Sequence, residues 1–83
     1  MESRVAVMAI IVEDLESAES VNALLHENAP YIVGRMGIPY RQRGISVMSV
    51  VLDAPQDAIS AMAGRIGALP GVSVKTAFSN IIG

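Results

Sequence analysis

The chain has 83 residues, which leaves room for a single small domain spanning residues 1–83. Hydrophobic residues make up 52% and charged residues 17%, a composition that excludes intrinsic disorder. The net charge of −2 argues against nucleic acid as a partner, and the lack of cysteine excludes disulfides, thiolate metal sites and cysteine nucleophiles.

The first apolar run extends from Val5 to Val12 and is followed by Glu13 and Asp14. Its leader has little positive charge and no cleavage site follows, so a secretory signal is not expected. The run is also too short to cross a bilayer, which takes about 20 apolar residues. We therefore interpret it as a strand of a cytoplasmic protein that has no membrane partner.

The chain contains an internal repeat. The segment Val5–Glu13 matches Ile45–Asp53 position for position at an offset of 40 residues. A helical pattern follows each copy, and each pattern ends near a proline, Pro30 or Pro70. The two stripes consist of Leu15, Ala18, Val21 and Leu25, and of Ile59, Met62, Ile66 and Leu69.

Each helix is followed by a further predicted strand, Tyr31 to Met36 in the first half and Val72 to Phe78 in the second. The segment from Gly37 to Gly44 joins the halves as a turn or protruding hairpin. The order βαββαβ predicts an α+β, ferredoxin-like domain: a four-stranded antiparallel sheet with two helices on one face.

The two central strands of that sheet are apolar on both faces, although two helices can cover only one face. Strands of this kind are normally covered on both sides. We therefore expect a homo-oligomer, either a dimer or a tetramer. The outward positions predicted to form its interface are Met8, Ile10, Met48 and Val50.

Four segments carry a family resemblance over nearly the whole chain: Val7–Val12, Val33–Tyr40, Gly44–Val47 and Leu69–Lys75. They resemble short stand-alone proteins described as regulators of the iron-only hydrogenase system, which are similar to ACT-like and nickel-repressor C-terminal-like domains. The resemblance implies a non-catalytic regulatory or accessory protein. Its partners would be a small ligand or proteins of the hydrogenase system.

In ACT-like oligomers, ligands lie at subunit boundaries near strand-to-helix junctions. The resemblance therefore implies ligand-binding positions at Asp14 and at Asp53, Pro55 and Gln56, which the repeat is expected to bring to one end of the sheet. The ligand would be a small anion or an amino-acid-like molecule, because helix N-termini expose backbone amides. Capping of the helices is the favoured alternative role for the two aspartates. Gln56 also occupies the place of a glycine that is typical of amino-acid-binding ACT domains.

The basic residues Arg41 and Arg43 fall in the segment between the halves. They are expected either to supply counter-charge to a ligand from a neighbouring subunit or to form a solvated hairpin.

No motif for catalysis, for a metal or for a cofactor is expected in this chain, and its one histidine, His26, is insufficient for a metal site. Two alternative functions stay open. One is a small dimeric α+β barrel-type enzyme with a cavity at the sheet face, and the other is a purely structural oligomerisation module.

Overall fold

A computed structural model describes residues 2–82, which form one four-stranded antiparallel sheet with the strand order β2-β3-β1-β4. The elements are β1 (Arg4–Val12), α1 (Ala18–Glu27), β2 (Ile32–Tyr40), β3 (Ile45–Ala54), α2 (Gln56–Gly67) and β4 (Val72–Ile82). Short 3₁₀ turns at Leu15–Ser17 and Ala29–Tyr31 flank α1. The predicted ferredoxin-like α+β fold is confirmed.

The core lies between the helices and one face of the sheet, and strict alternation in β1 sends every second side chain into it. Partners across antiparallel strands share a face, so Met8 and Val50 both point toward the helices, as do Ile10 and Met48. The buried hydrophobic residues are Ala6, Met8, Ile10, Val12, Val21, Leu25, Val50, Leu52, Ala54, Ile59, Met62 and Ile66.

The predicted interface positions lie on the wrong face of the sheet. Met8, Ile10 and Val50 are 0% exposed, and half-buried Met48 packs against the same core. The other set of side chains faces outward, including Val7 and Ile11 of β1. Since both sets are apolar, the alternation itself does not indicate which one the helices cover.

The second helical stripe is confirmed for Ile59, Met62 and Ile66, which are all buried, whereas Leu69 is half-buried and lies after α2 has ended at Gly67. The first stripe is confirmed only in part. Val21 and Leu25 are buried, but Leu15 lies in a 3₁₀ turn before the helix and is exposed. Buried Ser17 lies nearby, and its hydroxyl donates a hydrogen bond of 2.7 Å to the carbonyl of Pro70.

The connection between the halves is shorter than predicted. β2 extends to Tyr40 and pairs with β3 as far as Ile45, so only residues 41–44 form the turn. Gly44 closes this turn with a φ of 66°. β4 is also longer than predicted and ends at Ile82.

Among residues 2–82, no helix is both long enough and apolar enough to cross a membrane.

Candidate functional site

The two strand-to-helix junctions lie at opposite ends of the sheet. In the β1–β3 ladder, Val12 pairs with Ser46 at one end and Arg4 pairs with Ala54 at the other. Eight residues of strand separate these pairs, which corresponds to about 27 Å. The expectation that both junctions share one end is therefore wrong, because antiparallel pairing reverses the second copy of the repeat relative to the first.

The first junction is occupied by the chain itself. The amide of Glu13 donates to the carbonyl of Gly71 at 2.7 Å, and the amide of Ser17 donates to the carbonyl of Asp14 at 2.9 Å. The carboxylate of Asp14 accepts from the amide of Glu16 at 3.0 Å, so Asp14 caps the 3₁₀ turn. Capping is confirmed for this aspartate, and these three amides are already used within the chain.

The second junction is organised by a residue that the sequence did not indicate. The guanidinium of Arg4 donates to Oε1 of Gln56 at 2.9 Å and to the carbonyl of Ser79 at 2.8 Å. It also lies 4.8 Å from the centre of the Phe78 ring, within cation–π distance. Arg4 thus ties β1, α2 and β4 together where β1 begins.

Asp53 does not cap α2. It lies exposed near the end of β3, and Pro55 occupies the N-cap position of the helix. Among the described residues, no side chain caps this helix. The capping interpretation is therefore wrong for Asp53.

Arg41 and Arg43 lie exposed in the β2–β3 turn. This turn extends from the end of the sheet where β1 finishes, on the side of Asp14 and away from Gln56. The six predicted ligand-binding residues therefore do not form one site within a single chain.

A groove that the sequence did not indicate lies between α1 and the helix-facing side of β2 and β3; we call it the α1–β2 groove. Its first cavity has a volume of about 340 Å³ and is lined by Asn22, Leu25, His26, Ala29, Ile32 and Arg35. The adjoining cavity, of about 280 Å³, shares Asn22 and Arg35 and is also lined by Met36, Gly37, Pro39, Ser46 and Met48. Arg35 Nη2 donates to Asn22 Oδ1 at 3.1 Å across it.

The side of the sheet opposite the helices is an apolar surface, which we call the outer face. Register places Val7 of β1 between Val51 and Ala77, and Ile38 of β2 beside Val47 of β3. At outward positions of β1, β2 and β3, the exposed large apolar side chains are Val5, Val7, Ile11, Met36, Ile38, Tyr40 and Val47; Val33 of β2 is also exposed, at the register shift before Gly34. Their neighbours across the ladder are mostly small or apolar, so the surface is continuous over three strands.

No group of three or more histidine, cysteine or acidic side chains in residues 2–82 is arranged to hold a metal ion.

Comparison with known proteins identifies relatives of the chain. Residues 4–76 match the family model described as "Iron-only hydrogenase system regulator, putative". The uncharacterized protein TM1266 from Thermotoga maritima has a similar structure, with a TM-score of 0.88 and 32% sequence identity over 92% of this chain and 96% of that one.

A second solved structure shares the fold alone. It is a formyltetrahydrofolate deformylase from Pseudomonas putida, with a TM-score of 0.67 and 17% identity. The similarity covers 93% of this chain and only 29% of the deformylase. No curated protein sequence matches this chain.

Proposed function

Because the chain belongs to the family of iron-only hydrogenase system regulators, we propose that it is a non-catalytic regulatory or accessory protein of such a system. In this proposal it acts in the cytoplasm as a homo-oligomer and binds a small ligand or a protein of the hydrogenase system. The resemblance that was visible in the sequence and the matched family model support the regulatory role.

The proposal of a homo-oligomer rests on the apolar outer face. Seven large apolar side chains are between 37% and 62% exposed there, from Val47 to Met36. A contiguous apolar surface on a small domain marks an interaction site. A second copy is the favoured occupant, because most soluble oligomers are symmetric homo-oligomers in which the same patch meets itself.

The side chains of this face favour binding over acid–base chemistry. β1 and β3 present aliphatic groups such as Val7, Ile11 and Val47, whereas Lys75 lies on the edge strand β4. An enzyme with its cavity at the sheet face would need titratable groups placed centrally.

Val7 lies among apolar neighbours on the outer face, between Val51 and Ala77. Val7→Glu is expected to convert the oligomer to monomers, because an unpaired charge buried in the interface costs about 3 kcal/mol or more. Sedimentation velocity at micromolar concentration measures the change.

Ala61→Glu is the matched control, since Ala61 is exposed on α2, on the opposite side of the sheet. It is expected to assemble like the wild type. A wild-type chain that sediments as a monomer would refute the proposed oligomer.

The regulatory role is tested separately in the host organism. Deleting the gene for this protein should change the abundance or the hydrogen-evolving activity of the iron-only hydrogenase, and the wild-type gene should restore it. Unchanged hydrogenase abundance and activity after deletion would contradict the role.

A further inference from the structure

We propose that the α1–β2 groove binds a small organic carboxylate, with Arg35 holding the carboxylate group and the aliphatic wall of the groove holding the rest of the ligand. This inference rests on the proposed function and deepens it, because it names the class of ligand. It also replaces the strand-to-helix junctions as the place where a ligand is expected.

The groove exists because the sheet extends beyond its helical cover. α1 ends at Glu27 and passes through a 3₁₀ turn into β2, an edge strand that is exposed along nearly its whole length. On the helix-facing side, Gly37 pairs with Met48 and contributes no side chain. A Cβ at Gly37 would lie 3.8 Å from Met48 Cγ, so the missing side chain widens the floor of the groove.

The polar groups of the groove suit an anion. Arg35, His26, Asn22 and Ser46 supply its hydrogen-bonding side chains, and no aspartate or glutamate lines either cavity. The cavities therefore lack acidic side chains although the chain has eight acidic residues and a net charge of −2.

Arg35 is positioned to accept a ligand. Within residues 2–82, Arg35 forms no ion pair with a carboxylate; the ion pair there joins Arg65 and Glu27. Its one side-chain hydrogen bond, through Nη2 to Asn22, orients the guanidinium and leaves Nη1 and Nε for an incoming carboxylate. Guanidinium groups bind carboxylates through two parallel hydrogen bonds.

The volume of the groove and its apolar lining residues define the part of the ligand beyond the carboxylate group. Volumes of about 340 and 280 Å³ lie near the lower limit of small-molecule sites, which is about 300 Å³. Leu25 and Ile32 form apolar walls of the first cavity, and Met48 and Pro39 line the second. A carboxylate with a short branched or linear aliphatic chain matches both the positive charge of Arg35 and the apolar walls of the groove.

The position of the groove connects it to assembly. β2 carries Arg35 and Gly37 on the helix-facing side, and Met36 and Ile38 on the outer face. The groove and the outer face therefore share one edge strand, and Met36 at its edge also lines the second cavity. Linkage between them requires only that the ligand bind unequally to assembled and dissociated chains.

The test is a titration of ¹⁵N-labelled protein with acetate, 4-methylpentanoate, inorganic phosphate and the uncharged 4-methylpentanamide. We expect amide shifts confined to residues 22–37 and 46–48, with tighter binding of 4-methylpentanoate than of acetate or phosphate. No saturable shift is expected with the amide, because the charge has been removed.

Arg35→Gln should weaken binding of 4-methylpentanoate about tenfold or more, because a charge-assisted hydrogen bond is lost. Arg41→Gln removes the same charge from the β2–β3 turn and should bind like the wild type. Equal affinity for the amide, shifts confined to the Asp14 or Gln56 junctions, unchanged binding by Arg35→Gln, or no shift with any probe would each overturn the assignment.

Sedimentation keeps this inference separate from the proposed oligomer. Arg35→Gln should assemble like the wild type, and Val7→Glu should retain its carboxylate site as a monomer. Failure of the groove to bind leaves the result for the outer face intact, and the reverse also holds.

Discussion

Gly71 lies where the loop after α2 approaches the end of β1. Its φ is 66°, in the left-handed region that favours glycine. A Cβ at this position would lie 2.6 Å from Asp14 Cβ and 2.8 Å from the amide nitrogen of Asp14. The contact involves backbone, which a side-chain rotation does not relieve, so this approach requires glycine for two independent reasons.

Gly71→Ala is expected to reduce the free energy of unfolding by about 3 kcal/mol or more, because left-handed strain and the clash with Asp14 add together. Gly44→Ala is the matched control. Gly44 has the same φ of 66°, and its Cβ would meet nothing within 4 Å. Gly44→Ala should lower the free energy of unfolding only by the cost of the left-handed backbone conformation, about 1 kcal/mol. Urea denaturation measures both, and equal losses would show that the clash with Asp14 is not significant.

Arg4, like Gly71, contacts distant parts of the chain, and it does so at the other end of β1. Its guanidinium contacts Gln56 and the carbonyl of Ser79 and lies against the Phe78 ring. All three partners are distant in sequence, so no local pattern around Arg4 predicts them.

At the scale of a strand, β1 has two apolar faces with different tasks. Met8 is 0% exposed beneath the helices, whereas the adjacent Val7 is 41% exposed on the outer face. The same substitution at these two neighbouring positions therefore probes the core and the proposed interface separately.

Met8→Glu is expected to prevent folding. An isolated carboxylate in the core costs several kcal/mol, comparable with the whole stability of a small domain, about 5–15 kcal/mol. Val7→Glu should keep the native circular dichroism and dispersed amide spectrum. A folded, monomeric Met8→Glu protein would contradict the placement of this face under the helices.

At the scale of the whole molecule, the proposed assembly links stability to concentration. A partner that binds only the folded chain stabilises it by mass action. The outer face is the surface proposed for assembly, so a charge placed on it should make stability independent of protein concentration.

The midpoint of thermal unfolding is accordingly expected to rise with protein concentration. For the wild type, a hundredfold increase should raise it by about 5 °C or more, given the small enthalpy of a domain of this size. Val7→Glu should unfold at a temperature that does not depend on concentration, and Ala61→Glu should follow the wild type. Scanning calorimetry measures the midpoints, and a constant midpoint for the wild type would argue against assembly of the folded chain.

The amino-acid sequence by itself determined the elements, their order and the family. The repeat of Val5–Glu13 in Ile45–Asp53 marked the two central strands, and the stripe of Ile59, Met62 and Ile66 marked the buried side of α2. These features depend on local periodicity, which the chain carries without reference to its neighbours. The excess of apolar residues in both central strands also showed that a second sheet face is apolar.

Only the tertiary structure decided which face is which and which residues meet. A strand with apolar residues at every position has no polar side to orient it, so Met8 and Val7 are equivalent until the helices pack on one of them. The repeat suggested that Asp14 and Gln56 share an end, but the antiparallel pairing of β1 with β3 reverses the second copy. The α1–β2 groove arises where α1 stops short of an edge strand, and it joins Asn22, His26 and Arg35 through the relative placement of a helix and a strand rather than through any spacing along the chain.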